Sequence, residues 1–163
     1  MSGPLSASKA KLWMEATGTP CATIAEYDAL TWVRTKFVGN FGDLTETFAA
    51  IEYTDVDEGE DHVLKGNLSR GQFQVDLNYA GTADAGQVAM QTAFDSIENV
   101  NIKVTLNNDP GGTNSKPTRF CCPAKVMEKK YMLGDGKRVV GLSFILRIDG
   151  KILKGDPVVG SGG

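Results

Sequence analysis

The chain has 163 residues, 41% hydrophobic and 23% charged, with 19 glycines and a formal net charge of −3. That length favours one domain, and a chain of this size buries roughly 70% of its unfolded surface without disulfide or metal staples. The acidic balance excludes a basic face of the kind that drives sequence-independent nucleic-acid binding, though not a surface past which DNA slides.

Residues 1–8 are small and polar and are expected to form a flexible arm. They contain no apolar h-region, so no secretory signal is expected and the chain is expected to fold in a cytoplasm. A strand is predicted over residues 9–17, around Leu12 and Met14, closed by the turn Gly18-Thr19-Pro20. Over residues 31–38, Val33, Thr35 and Phe37 alternate with Arg34 and Lys36, which predicts a second strand, broken by Gly39-Asn40-Phe41-Gly42-Asp43. A third strand follows over 45–54, diluted by Ala49 and Ala50.

The stretch TDVDEGEDH, residues 54–62, packs Asp55, Asp57, Glu58, Glu60 and Asp61 into seven positions. Such self-repulsion predicts a mobile, solvated loop, extending over 54–65. A strand over 67–79 comes next, in which Phe73, Val75, Leu77 and Tyr79 alternate with Gln72, Gln74, Asp76 and Asn78. The period then changes to that of a helix near residues 84–98. Asp84 is its cap, Gln87 its capping-box partner, and Met90, Ala93, Phe94 and Ile97 its apolar stripe. Strand alternation resumes over 100–107, with Val100, Ile102, Val104 and Leu106 against Asn101, Lys103, Thr105 and Asn107. After a soft loop at 108–118, residues 119–133 hold one or two strands, with Pro123 at an edge or bulge. Gly134-Asp135-Gly136 signals a hairpin turn before the most apolar strand, 139–148, in which Val140, Leu142, Phe144, Leu146 and Ile148 face one way. Residues 155–163 form a linker-like tail, which bounds the folded domain at 9–154. Strands that alternate apolar and polar around one helix predict a mainly β fold: a two-sheet β-sandwich or barrel with one flanking α-helix near 84–98.

No reaction centre emerges. The single histidine, His62, stands in the acidic stretch without a second imidazole, and Cys21, Cys121 and Cys122 lack zinc-site spacing. An EF-hand match begun at Asp55 fails at Gly59 and Gly66, where ligands are required. GDGK at 134–137 lacks the upstream glycine and following hydroxyl of a phosphate loop. The expectation is a protein that is not an enzyme and has no metal, cofactor or disulfide. No apolar run approaches the ~18 residues of a membrane span.

The order of elements carries a resemblance. A Trp-containing strand (32-WVRTKFVG-39) leads to IEYTDVD at 51–57 and, after a polar loop, to FQVDLNY at 73–79. The helical TADAGQVAMQTAF at 82–94 and the closing VVGLSFILRIDGKI at 139–152 complete the series. This arrangement resembles the tail tube (major tail) proteins of long non-contractile-tailed phages and related gene-transfer particles. The resemblance implies a tail-tube-like sandwich whose copies form hexameric rings that stack into a tube in the virion tail, made in the host-cell cytoplasm. DNA would pass through the lumen without specific binding, and tape-measure and tail-completion proteins would be partners. The loop at 54–65 would reach a neighbouring subunit or ring, with Arg34, Lys36, Lys129 and Lys130 as possible partners for its carboxylates. Gln74, Asp76 and Asn78 would be a possible lumen face. The rival expectation is a monomeric β-sandwich module that holds a small ligand or carbohydrate in a pocket.

Overall fold

Alternation in the sequence becomes antiparallel pairing throughout in the computed structural model of the chain, which describes residues 3–161. The outermost positions of the expected arm and tail, Met1, Ser2, Gly162 and Gly163, lie outside the described residues. In chain order the elements are β1 (Lys11–Glu15), α1 (Ile24–Asp28), β2 (Val33–Thr35), β3 (Val38–Phe41), β4 (Glu46–Asp55), β5 (Glu60–Arg70), β6 (Gln72–Asn78), α2 (Ala85–Phe94), β7 (Val100–Thr105), β8 (Arg119–Met132), β9 (Gly141–Ile148) and β10 (Leu153–Gly155). Eight strands form one sheet in the order β2-β1-β7-β8-β9-β6-β3, with β10 added on β8, while β4 and β5 form a separate two-stranded ribbon. The mainly β architecture with a flanking helix is as the sequence predicts.

One long strand makes the core possible. β8 pairs with β7 through Arg119–Ala124 and with β9 through Ala124–Met132, and its register shifts between Val126 and Glu128. A strand that bends at a bulge can serve two layers. Accordingly Leu12 and Met14 of β1 share one apolar cluster with Phe73, Val75 and Leu77 of β6, which stands on the far side of β8 and β9 in the sheet order. Leu142, Phe144 and Leu146 of β9 lie at its centre, fully buried. Pro123 sits in the interior of β8 rather than at an edge, opposite Asn101 of β7. Its carbonyl accepts from Asp149, just where β9 ends and before β10 begins, so its missing N–H costs no ladder bond.

The alternation misleads on β7. Asn101 and Thr105, expected on a solvated face, are buried. Residues 16–32, including the unforeseen five-residue helix α1, pack across that face. Asn101 Nδ2 donates to Glu15 Oε2 (3.0 Å) and to the carbonyl of Thr19 (2.9 Å), and the Trp13 indole N–H donates to Thr105 Oγ1 (3.2 Å). Polar residues are tolerated inside because their hydrogen bonds are made there. The same cover buries Cys121, while Cys122 on the opposite face joins the core. All three cysteines are free thiols, and burial pushes those of Cys121 and Cys122 up to about 12. A maleimide at mildly alkaline pH should therefore label Cys21 alone in the folded chain and three sites after denaturation, read by intact mass. Rapid native labelling of Cys121 would mean that the 16–32 cover does not hold.

Helix α2 is shorter than predicted and buries a different stripe. Asp84 caps it, accepting from Gln87 N–H (3.2 Å) and from Lys36 N–H (2.9 Å). Gln87 does not complete a capping box. Its buried amide donates to the carbonyls of Asn78 (2.8 Å) and Lys36 (3.3 Å) and accepts from Ala80 N–H (3.1 Å), which ties the helix to two crossings of the chain. Gly86 permits this closeness: a Cβ there would stand 2.5 Å from the Arg34 carbonyl and Thr35 Cα. Met90 and Ala93 face the core, but Phe94 is 36% exposed and Ile97 lies beyond the helix at 85%. Met90→Ala should therefore cost about 2–5 kcal/mol. Phe94→Ala should cost only about 1 kcal/mol, since that ring loses mainly the Lys129 ammonium 5.1 Å from its centroid. Urea melts decide between them, and an equal loss for both would restore the predicted stripe.

Four boundaries change. The strand expected over 31–38 is two strands at opposite ends of the sheet order. The ladder stops where Lys36 N–H turns to Asp84 and Phe37 takes a left-handed φ of 63°. The expected break at Gly39–Asp43 is mostly β3, and the strand expected over 67–79 is divided at Gly71 into β5 and β6. The tail expected from residue 155 is paired instead. β10 straddles the expected boundary at 154, and bridges Lys116↔Val158 and Thr113↔Ser161 hold residues 158–161 against the 108–118 loop. Glycine there serves close approach, since a Cβ on Gly160 would stand 2.5 Å from Gly112 backbone. Among the described residues no helix is long and apolar enough to cross a membrane.

Candidate self-assembly interface

The segment expected as a loop over 54–65 is the end of a regular ribbon. β4 and β5 pair from Glu46↔Arg70 to Asp55↔Glu60, with one register shift between Phe48 and Ala50. Only residues 56–59 turn. Asp55 Oδ1 accepts from Asp57 N–H (3.0 Å) and Glu58 N–H (3.3 Å), and Gly59 closes the turn at φ 70°. Strand pairing wins over carboxylate repulsion because Ile51 opposes Leu64 and Tyr53 stacks on His62 with ring centroids 5.2 Å apart. The acids remain in water on both faces.

The ribbon contributes nothing to the core cluster. Phe48, Ile51, Tyr53, Val56, Val63 and Leu64 are each about half exposed or more. An isolated two-stranded ribbon is marginal in water, and an apolar surface held out on one calls for a partner. Its tip concentrates Asp55, Asp57, Glu58, Glu60 and Asp61. Among the described residues, the ion-pair contact of these carboxylates is His62 Nε2 with Glu58 at 3.5 Å. Asp55, Glu58 and His62 also place one donor atom each within 4.8 Å of one another, fewer than the four protein ligands of a structural zinc site or the six to eight oxygens around calcium, though equal in number to the protein ligands of an open zinc site.

The cations expected to meet this tip from a neighbouring copy stand on other elements of the fold. Arg34 is on β2 opposite Trp13, and Lys36 is in the crossing between β2 and β3. Lys129 and Lys130 are on β8 opposite Phe144 and Ser143. Within one chain none of the four is in ion-pair contact with a tip carboxylate among the described residues. Gln74, Asp76 and Asn78 do share the outward face of β6, with Gln74 Nε2 donating to Asp76 Oδ1 (3.1 Å). Partial burial pushes the Asp76 carboxyl up, but hydrogen bonds from Ser143, Gln74 and Asn40 and the nearby Lys130 outweigh it, leaving it below the usual range.

A second charged region has no local signal in the sequence. Arg119 Nε and Nη2 grip Asp28 at 2.7 and 2.8 Å, and Lys116 Nζ adds a contact at 3.2 Å. Lys103 lies over the rings of Trp13 (5.0 Å) and Trp32 (4.7 Å), and burial lowers its pKa. These groups come from positions 13 to 119 and meet only because α1 folds over β7 and β8.

No protein-family model matches the chain, and no curated protein matches it in sequence. Solved structures do. A chain of the anti-feeding prophage (AFP) baseplate superposes with a TM-score of 0.72 at 13% identity, covering 96% of this chain and 98% of that one. A subunit of the SPP1 tail tube gives 0.63 at 17% identity, covering 96% and 81%. A chain from the tail of the empty GTA particle gives 0.63 at 14% identity, covering 92% and 98%. The fold is that of the tail tube. In this tail-tube fold the sheet ends in two short strands, β2 and β3, and the β4–β5 ribbon stands apart from the core.

Proposed function

We propose that the chain is a structural subunit of a phage-like virion tail, which self-assembles into stacked hexameric rings forming the tube through which DNA passes. It is not an enzyme in this reading. The carrying observation is the β4–β5 ribbon, whose apolar faces stand exposed outside the core and whose acidic tip, among the described residues, is in ion-pair contact only with the ribbon's own His62. The neighbours' six-fold and C6 symmetry supports a ring of six. Short edge strands suit closure between copies, since a closed ring removes edges. The Gln74-Asp76-Asn78 face suits a lumen wall, because its carboxylate repels phosphates and its two neutral amides offer them no countercharge. Synthesis in the host-cell cytoplasm and tape-measure and tail-completion partners belong to the same reading.

Concentrated purified protein, kept in chelator and reductant, should form rings or tubes by negative-stain microscopy. Its sedimentation should shift to larger species as concentration rises. A single monomer-sized boundary at every concentration would favour the rival, a monomeric ligand- or carbohydrate-binding sandwich.

A further inference from the structure

We infer that a cationic cavity on this chain is the receptor for the acidic ribbon tip of a second copy. The inference rests on the self-assembly reading. The cavity, of about 310 Å³, is bounded by β1, α1, β7 and the 107–117 loop. Lys9, Lys11, Lys103, Lys116 and Arg119 line it against two carboxylates, Asp28 and Asp109. The chain as a whole carries −3, so this is a local reversal of its charge. Asp28 is committed to Arg119 and Lys116. Among the described residues Lys9, Lys11 and Lys103 have no carboxylate within ion-pair distance.

The ribbon tip is the complement. It holds five carboxylates in seven positions, at the end of a turn narrow enough to enter a concave site. Folding brings neither patch to the other within one chain, so the contact requires a second copy. A contact between two different patches is heterologous, and repetition of it builds a ring or a stacked tube rather than a closed dimer. A nucleic-acid phosphate is the competing occupant. It is less favoured because strand binding uses a cationic groove that tracks a backbone, whereas these cations surround one cavity on an acidic chain.

The test uses full-length chains with exposed substitutions on each side: Lys9→Glu with Lys11→Glu for the cavity, Asp57→Lys with Glu60→Lys for the tip, and all four together. Circular dichroism checks folding. Each one-sided pair should raise the concentration for half-assembly about tenfold or more. The four-fold exchange should recover part of the cavity pair's loss, because two of the charge pairings are re-formed with reversed signs. Trp13 and Trp32, the chain's two tryptophans, flank Lys103, so parent emission should change with concentration and that of the tip variant should not. An exchange no better than the cavity pair alone overturns the inference. So does parent polymerisation without an emission change, which would leave the tube reading standing. An emission change that follows the charge pattern without tubes would keep the contact and sink the tube. A single-stranded oligonucleotide that shifts the tip variant's emission near physiological salt would assign the cavity to phosphate instead.

Discussion

A chain in which residues 48–68 are replaced by Asn-Gly should fold as the parent does and fail to polymerise. Thr47 and Ser69 are directly opposite in the ladder, so a two-residue type I′ turn can join them without disturbing the base of the ribbon. The removed segment supplies no member of the core cluster. Melting should therefore stay within a few degrees of the parent, since the change falls outside every class of mutation with a large stability cost. Assembly should be lost, because the excision takes both the exposed apolar faces and the acidic tip. Circular dichroism and electron microscopy of the two proteins at equal concentration give the comparison. Tubes of normal length from the shortened chain would remove the ribbon from assembly. A shortened chain that no longer folds would show that the ribbon belongs to the core after all.

The second large effect is expected at Asp28. Its side chain is 13% exposed and that of Arg119 is 6%. Asp28→Asn would remove the countercharge and one of the two side-chain oxygens that Arg119 grips, leaving the guanidinium one amide oxygen beside the carbonyls of Pro117 (3.3 Å) and Asp156 (3.0 Å). Stranding a buried charge in this way costs roughly 3 kcal/mol. The cost should depend on pH. Burial pushes the Asp28 carboxyl up, but hydrogen bonds from Arg119 and Lys116 and their charges outweigh it, so its folded pKa lies below the ordinary carboxylate value. A group depressed in the folded state stabilises fully above its unfolded pKa, about 3.9, and loses that contribution as pH falls through the folded value. The stability gap between parent and Asp28→Asn in urea should thus be constant near neutral pH and close in acid. A gap that persists undiminished at pH about 2 would mean that the difference is steric rather than ionic. Because this pair pins α1 over β7 and β8, the variant should also disturb the cavity beside it.

The strands of the core were legible because their cause is local. In β6 and β9 one face meets apolar neighbours and the other meets water or polar groups, so a period of two is written directly into Phe73, Val75 and Leu77 and into Leu142, Phe144 and Leu146. Asp84 as the α2 cap was legible for the same reason. Phe94 and Ile97 were misplaced because helical spacing defines a stripe but not where the partner surface ends. The acidic run reads as a loop because charge density signals solvation. Solvation is compatible with a ribbon wet on both sides, and the cross-strand pairs that decide it, Ile51 with Leu64 and Tyr53 with His62, lie nine residues or more apart in the chain.

By itself the sequence determined a mainly β chain with one capped amphipathic helix, a single core without staples, and an acidic segment at 54–62, since these follow from composition and short-range periodicity. Tertiary structure alone decided that β8 serves two layers, that residues 16–32 cover β7 and bury Asn101, that the β4–β5 ribbon leaves the core, and that Lys9, Lys11, Lys103, Lys116 and Arg119 share one cavity. The physical reason is common to all four. Each depends on which distant segments pack together, and packing and charge act through space, whereas propensity and periodicity act only along the chain.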